Sequence, residues 1–171
     1  MIRMLGALLL TAGGLWLGML KSAGQYRRVN ALLRLSAAME MMRGEIALNL
    51  TPVPELMELI SRSFDGPVGE FFRNTSELMP ELGKESLSEL WSRAVDETAD
   101  LPLNRGERDE LRLLGSVLGR FDAGEQERVL LLAADKFAGL ASRAGEKAAQ
   151  ERKLCAGVGA SAGLMLAIML L

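Results

Sequence analysis

At each end the chain carries an apolar stretch without a single charged side chain: Met4 to Leu20, 17 residues, and Leu154 to Leu171, 18 residues. A helix needs about 17–25 predominantly apolar residues, at ~1.5 Å each, to cross the hydrocarbon core of a bilayer. Neither stretch contains proline, and each is bounded abruptly by charge. The expectation is a transmembrane helix in residues 1–20, a helical domain in 21–153 and a second transmembrane helix in 154–171. A cleavable signal peptide is the rival reading of the first stretch, with Ser22-Ala23-Gly24 as its small-residue site. Arg3 alone makes a thin positive leader, and Arg27, Arg28 and Arg34 follow directly, where positive charge opposes translocation. Retention of the segment is the expectation that follows.

Orientation comes from the flanking bases. Lys21, Arg27, Arg28 and Arg34 follow the first stretch, and Arg143, Lys147, Arg152 and Lys153 precede the second. Basic flanks stay on the cytoplasmic side, so the middle domain is expected in the cytoplasm. Both stretches also hold small residues one helical turn apart, Gly14 with Gly18 and Gly159 with Gly163. Such pairs let helix backbones approach closely in lipid. They allow packing of the two spans or homo-oligomerisation, and glycine is also simply common in membrane helices.

The apolar residues are mostly Leu, Ala and Met, and only 5% of the chain is aromatic. Those types favour helices over strands, so the fold class is all-α, a bundle of about six helices. Leu32, Leu35, Met39, Met42 and Ile46 recur at 3, 4, 3, 4, a heptad-like stripe on the first helix. Thr51 as N-cap and Pro52 at the first helical position would open a second helix, with Leu56, Leu59 and Ile60 inward. A third helix is expected over 67–78 (Val68, Phe71 and Phe72 inward). A fourth runs from about Ser86, burying Leu87, Leu90, Trp91, Ala94 and Val95. A fifth covers 106–121, burying Leu111, Leu114, Val117 and Leu118. Asp122 and Glu125 have a capping-box spacing. Beyond them Leu130, Ala134, Phe137, Ala141, Ala144 and Ala148 repeat at 4, 3, 4, 3, 4 without a proline. A last helix from about 123 to 171, antiparallel to the first, is expected.

The side chains exclude several functions. Histidine is absent, which removes the usual proton-transfer group near neutral pH and the commonest metal ligand. The single cysteine, Cys155, begins an apolar stretch, where thiols are inert. No Walker A, dinucleotide fingerprint, metal-ligand cluster or nucleophile elbow is present. No cofactor and no metal are expected. The net charge of −2 gives no pull toward nucleic acid. The spans lack ionisable groups of the kind transport pathways use. From Glu77 to Glu110 ten acids stand against four bases, Lys84, Arg93, Arg105 and Arg108. Glu81, Glu85 and Glu89, spaced four apart, are the candidate surface for a basic partner. An ordinary solvated helix face is the plainer account.

Several local sequences resemble the stage III sporulation protein AB family of endospore-forming bacteria. They are Leu118-Gly119-Arg120-Phe121-Asp122 with Gln126, Glu45-Ile46 with Thr51-Pro52 and Glu55, and Trp91 with Ala94. Each is weak alone, and their order along the whole chain is the more specific sign. Val53-Pro54 departs from the longer aliphatic residue expected there. The resemblance implies a sporulation role in a multiprotein channel between mother cell and forespore. It implies a fold similar to the cytoplasmic domains of F-type platform proteins of type II secretion and type IV pilus systems. It also implies a non-enzymatic anchor for a hexameric cytoplasmic secretion-type ATPase, beside other membrane subunits, in the outer forespore membrane. Caps, turns and core packing equally account for Glu45, Thr51, Pro52, Trp91, Leu118, Gly119, Asp122 and Gln126. A membrane-anchored enzyme or small transporter subunit is the alternative function. An exported, C-terminally anchored protein is the alternative topology.

Overall fold

The computed structural model describes the backbone of residues 2–118 and 123–170, and the side chains of residues 24–118 and 124–151. Among the described residues six helices follow one another: α1 (Ile2–Asn49), α2 (Val53–Ser63), α3 (Gly66–Leu78), α4 (Leu87–Glu97), α5 (Arg105–Leu118) and α6 (Ala123–Leu170). A short 3-10 turn, Met79–Glu81, leads out of α3. Among the described residues the fold is all-α, as the composition predicts. The backbone divides into two compact units, residues 30–141 and residues 1–29 with 142–171. The charge-free stretches at 4–20 and 154–171 are helical in α1 and α6, but their side chains lie outside the described residues. Among the described residues no helix is long and apolar enough to cross a membrane.

Within residues 30–141 the first helix buries the stripe its spacing predicts. Leu32, Leu35, Met39, Met42 and Ile46 are all sealed from solvent. Leu130, Ala134, Phe137 and Ala141 of α6 are buried in the same unit. Two polar contacts set the register of the pair. Ser36 Oγ donates to the Ala134 carbonyl at 2.8 Å, and Arg43 Nη1 pairs with Glu127 at 3.1 Å. Numbers rise on one helix as they fall on the other, so α1 and α6 are antiparallel here.

The four shorter helices complete the core around three aromatic rings. Phe71 and Phe72 of α3 meet Trp91 of α4 edge-on, with centroids 5.0 and 6.0 Å away. Trp91 then lies against α5: its indole Nε1 donates to the Leu111 carbonyl at 2.7 Å. Gly115, one turn further along α5, leaves the room that the ring fills. This is why Gly115 is buried while Val117, expected inward, is only half-buried. On α2 the buried positions are Leu56, Met57 and Ile60. Leu59 is half-buried, so the inward face is rotated toward Met57.

The start of α2 also departs from expectation. Thr51 is not its N-cap; Pro52 is, without any side-chain cap, and the first helical bond runs from Leu56 N–H to the Pro52 carbonyl. The Thr51 hydroxyl is taken up elsewhere, donating to Glu45 at 3.1 Å. A nearby carboxylate is a stronger acceptor than the hydroxyl's local alternatives, so the side chain turns back toward α1. The described part of α5 ends at Leu118, and Gly119, Arg120, Phe121 and Asp122 lie outside the described residues.

Candidate functional site

The acidic segment that follows α3 is not one helix. Pro80 sits in the 3-10 turn, and Gly83 takes φ +103°, a conformation open to glycine, so the chain reverses before α4 begins. Glu81, Glu85 and Glu89 are therefore not stacked on a single helical face. Arg93, two turns into α4, reaches back to the first two: its Nη2 lies 2.7 Å from Glu81 and 3.0 Å from Glu85. The hydrogen bond to Glu81 is the main reason the guanidinium is held above its ordinary pKa. Both carboxylates remain about two-fifths exposed. They are neutralised in part but still reachable by solvent.

Glu89 does something different. Ser86 is the N-cap of α4, and Glu89 is the third helical residue; the Ser86 hydroxyl accepts from the Glu89 N–H, while the Ser86 N–H donates to the Glu89 carboxylate at 2.8 Å. This reciprocal box satisfies two amide donors that a helix start otherwise leaves open. Donation from the Ser86 backbone, then from its hydroxyl, lowers the Glu89 pKa below the ordinary carboxylate value. A group depressed in the folded state contributes stability above its unfolded pKa, and that contribution is lost as pH falls through the folded pKa. Glu89→Gln keeps the box geometry without the charge. Melting curves taken from neutral pH into the acid range should show this variant below the parent at neutral pH, with the two converging in acid.

The residues of the resembled motifs fall in separate places. Glu45 accepts from Asn49 Nδ2 at 2.8 Å and from Thr51, bracing the corner between α1 and α2. Between those two donors Leu50 takes φ +52°, a left-handed conformation that costs a non-glycine residue about 1–2 kcal/mol. Trp91 is in the core, Leu118 is buried at the end of α5, and Gln126 is half-buried on the first turn of α6. Gly119 and Asp122 lie outside the described residues, as do the surroundings of Gly14, Gly18, Gly159 and Gly163. The described motif positions thus do not converge on one pocket. A shallow groove does exist nearby, lined by Pro54, Glu55 and Glu58 of α2 with Ser76, Met79 and Pro80. Among the described residues no group of three or more Cys, Asp or Glu side chains is placed to hold a metal ion.

One structural side chain is invisible as such in the sequence, where it counts only as a base. Arg108 of α5 donates to four backbone carbonyls at the end of α4: Val95 at 2.9 Å, Thr98 at 3.2 Å, Ala99 at 3.1 Å and Leu101 at 2.9 Å. It closes the orphaned end of α4 and fixes the 98–104 connection. The planar fork of arginine suits this, and an ammonium cannot span it. Arg108→Met should cost about 2–3 kcal/mol, since hydrogen bonds from a charged donor contribute roughly 1.5–3 kcal/mol. Lysine should rescue only a small part, and denaturant melts of the three proteins will show the order.

The whole chain can be set beside known proteins. The family model of stage III sporulation protein AB matches residues 3–171. The stage III sporulation protein AB of Bacillus subtilis (strain 168) is 25% identical over 172 residues, covering 100% of both chains. A solved structure of a stage III sporulation protein AB (SpoIIIAB) superposes with a TM-score of 0.65 at 23% identity. It covers 72% of this chain and 97% of that one. That likeness is one of fold.

Proposed function

Given that the chain belongs to the stage III sporulation protein AB family, we propose that it is a non-enzymatic membrane platform. In this reading residues 1–20 and 154–171 span the membrane, and residues 21–153 form a cytoplasmic helical domain that anchors a secretion-type ATPase. The observation that carries it is continuity. Two unbroken 48-residue helices, α1 and α6, each include part of the packed core and one charge-free stretch. Bases flank both stretches on the side of residues 21–153, which supports a cytoplasmic location for that domain. The outer forespore membrane, on the mother-cell side, is the membrane this reading implies.

The ATPase should co-purify with the full chain from detergent extracts of sporulating cells. Recovery of other membrane subunits without any ATPase would sink the anchoring role. Turnover or flux by proteoliposomes holding this protein alone would favour the enzyme or transporter reading. A cysteine placed in the 99–105 connection should resist an impermeant thiol reagent in intact cells; labelling there would put the domain outside.

Glu81, Glu85 and Glu89 are proposed as part of the partner surface. Each has an intramolecular role, so charge reversal must be read beside a melt. Lost ATPase capture at an unchanged melting temperature supports the acidic surface, and undiminished capture removes it.

A further inference from the structure

Leu50 is the one described non-glycine residue with positive φ, at +52°. Leucine seldom adopts that conformation, and here burial gives nothing back. Leu50 is 71% exposed and its neighbour Leu48 is 83% exposed. The corner is nevertheless built firmly: Glu45 holds Asn49 and Thr51 on either side of Leu50. The result is a braced turn that holds two leucines in water. Four residues after Leu50, Pro54 begins the lining of the shallow groove whose apolar part includes Met79 and Pro80 and whose acidic part is Glu55 and Glu58. Glu58 pairs with exposed Arg62, while Glu55 has no side-chain partner among the described residues. Over residues 45–81 seven acids stand against two bases, Arg62 and Arg73.

We propose that the α1–α2 corner and this groove form the docking surface for a basic amphipathic segment of a partner protein. Its apolar side chains cover Leu48 and Leu50, and its Lys or Arg side chains meet Glu55 and Glu58. Charge selects the occupant, because the same carboxylates repel anionic headgroups and nucleic-acid phosphates. An apolar stripe with flanking bases is the complement that a helix-in-groove contact requires. The proposal relies on the platform reading only for the existence of a protein partner, not for its being the ATPase.

The test uses the full chain in sporulating cells, with a photoreactive benzophenone amino acid at position 48 and, as a control, at exposed Glu97. A crosslink specific to position 48 is expected, and peptide mapping should place it on a segment with bases and with apolar residues three or four apart. Mapping to a second copy of this chain, to lipid, or to an acidic segment would overturn the proposal, as would crosslinking no stronger than at the control. The double variant Leu48→Gln, Leu50→Gly gives a second readout. Glycine relieves the backbone strain, so the variant should melt at or above the parent temperature while capture of the crosslinked partner falls at least tenfold. If the ATPase co-purifies undiminished with this variant and no crosslink forms, the docking surface fails and the platform reading stands. If the crosslinked segment is basic and amphipathic but belongs to a protein with no ATPase motif, the surface stands, and ATPase anchoring is decided by the co-purification alone.

Discussion

Replacing Trp91 by alanine should destabilise the helical core by about 3–5 kcal/mol, the range for emptying the site of a fully buried large aromatic residue. The ring is completely buried. It makes two edge-to-face contacts across α3 and α4, each contributing roughly 0.5–1.5 kcal/mol beyond the area buried. Its indole also anchors α5 through the Leu111 carbonyl. Urea melts followed by circular dichroism on the detergent-solubilised chain will measure the loss. Trp91→Phe should lose less, since an aromatic edge remains while the hydrogen bond goes. Gly115 provides an internal check. A Cβ there would stand 2.4 Å from two carbons of the Trp91 side chain, so Gly115→Ala in the parent should cost about 1–3 kcal/mol by overpacking. In the Trp91→Ala background the two closest contacts are gone, while the Cβ of residue 91 stays 2.7 Å from the added methyl group. Its cost should fall without disappearing, a coupling that a double-mutant cycle will read. Additive costs would mean that the ring and the glycine do not share the contact described.

Gly69→Ala should be comparably damaging for a different reason. A Cβ at position 69 would lie 1.8 Å from the Phe64 carbonyl oxygen and 2.7 Å from its carbon. The obstacle is backbone, so no rotamer change relieves it. Either α3 moves off the end of α2 or the Phe64 peptide turns away. The expected cost is about 3 kcal/mol or more, at or above the upper end for overpacked sites. The damage should be local to the α2–α3 junction. Arg34 Nη1, which donates to the Asp65 carbonyl at 2.5 Å, is the contact most exposed to it. Hydrogen exchange should therefore report early loss of protection in α2 and α3, with α1 and α6 protected longer. A uniform loss across all helices would show that the junction does not unfold as its own unit. Because the groove beside Pro54 and Met79 is built from α2 and the end of α3, the same substitution should also weaken partner capture through that surface.

The stripes on the first and last helices were legible because burial of a helix face leaves a repeat near 3.5 residues in the sequence itself. Leu32 through Ile46 and Leu130 through Ala144 are buried where that repeat puts them. Ser86 and Glu89 have the spacing of the α4 capping box, but Glu89 also stands in an acidic run, which masks its capping role in the sequence. Thr51 departs from its expected capping role for a related reason. Cap spacing is local, but the hydroxyl's actual acceptor, Glu45, belongs to the preceding helix. The acids at 81, 85 and 89 looked like one face, and the 3-10 turn with Gly83 broke that face apart.

What the sequence determined by itself is the helical class, the two charge-free ends with their basic flanks, and the family to which the chain belongs. These are properties of composition, periodicity and order, which a linear chain displays in full. Tertiary structure alone decided which polar groups are committed. Arg93 is drawn to Glu81 and Glu85, Arg108 to the end of α4, and Glu45 to the corner that leaves Leu48 and Leu50 in solvent. The reason is geometric: a hydrogen bond needs its partners within about 3 Å, and that proximity is created by packing, not by spacing along the chain.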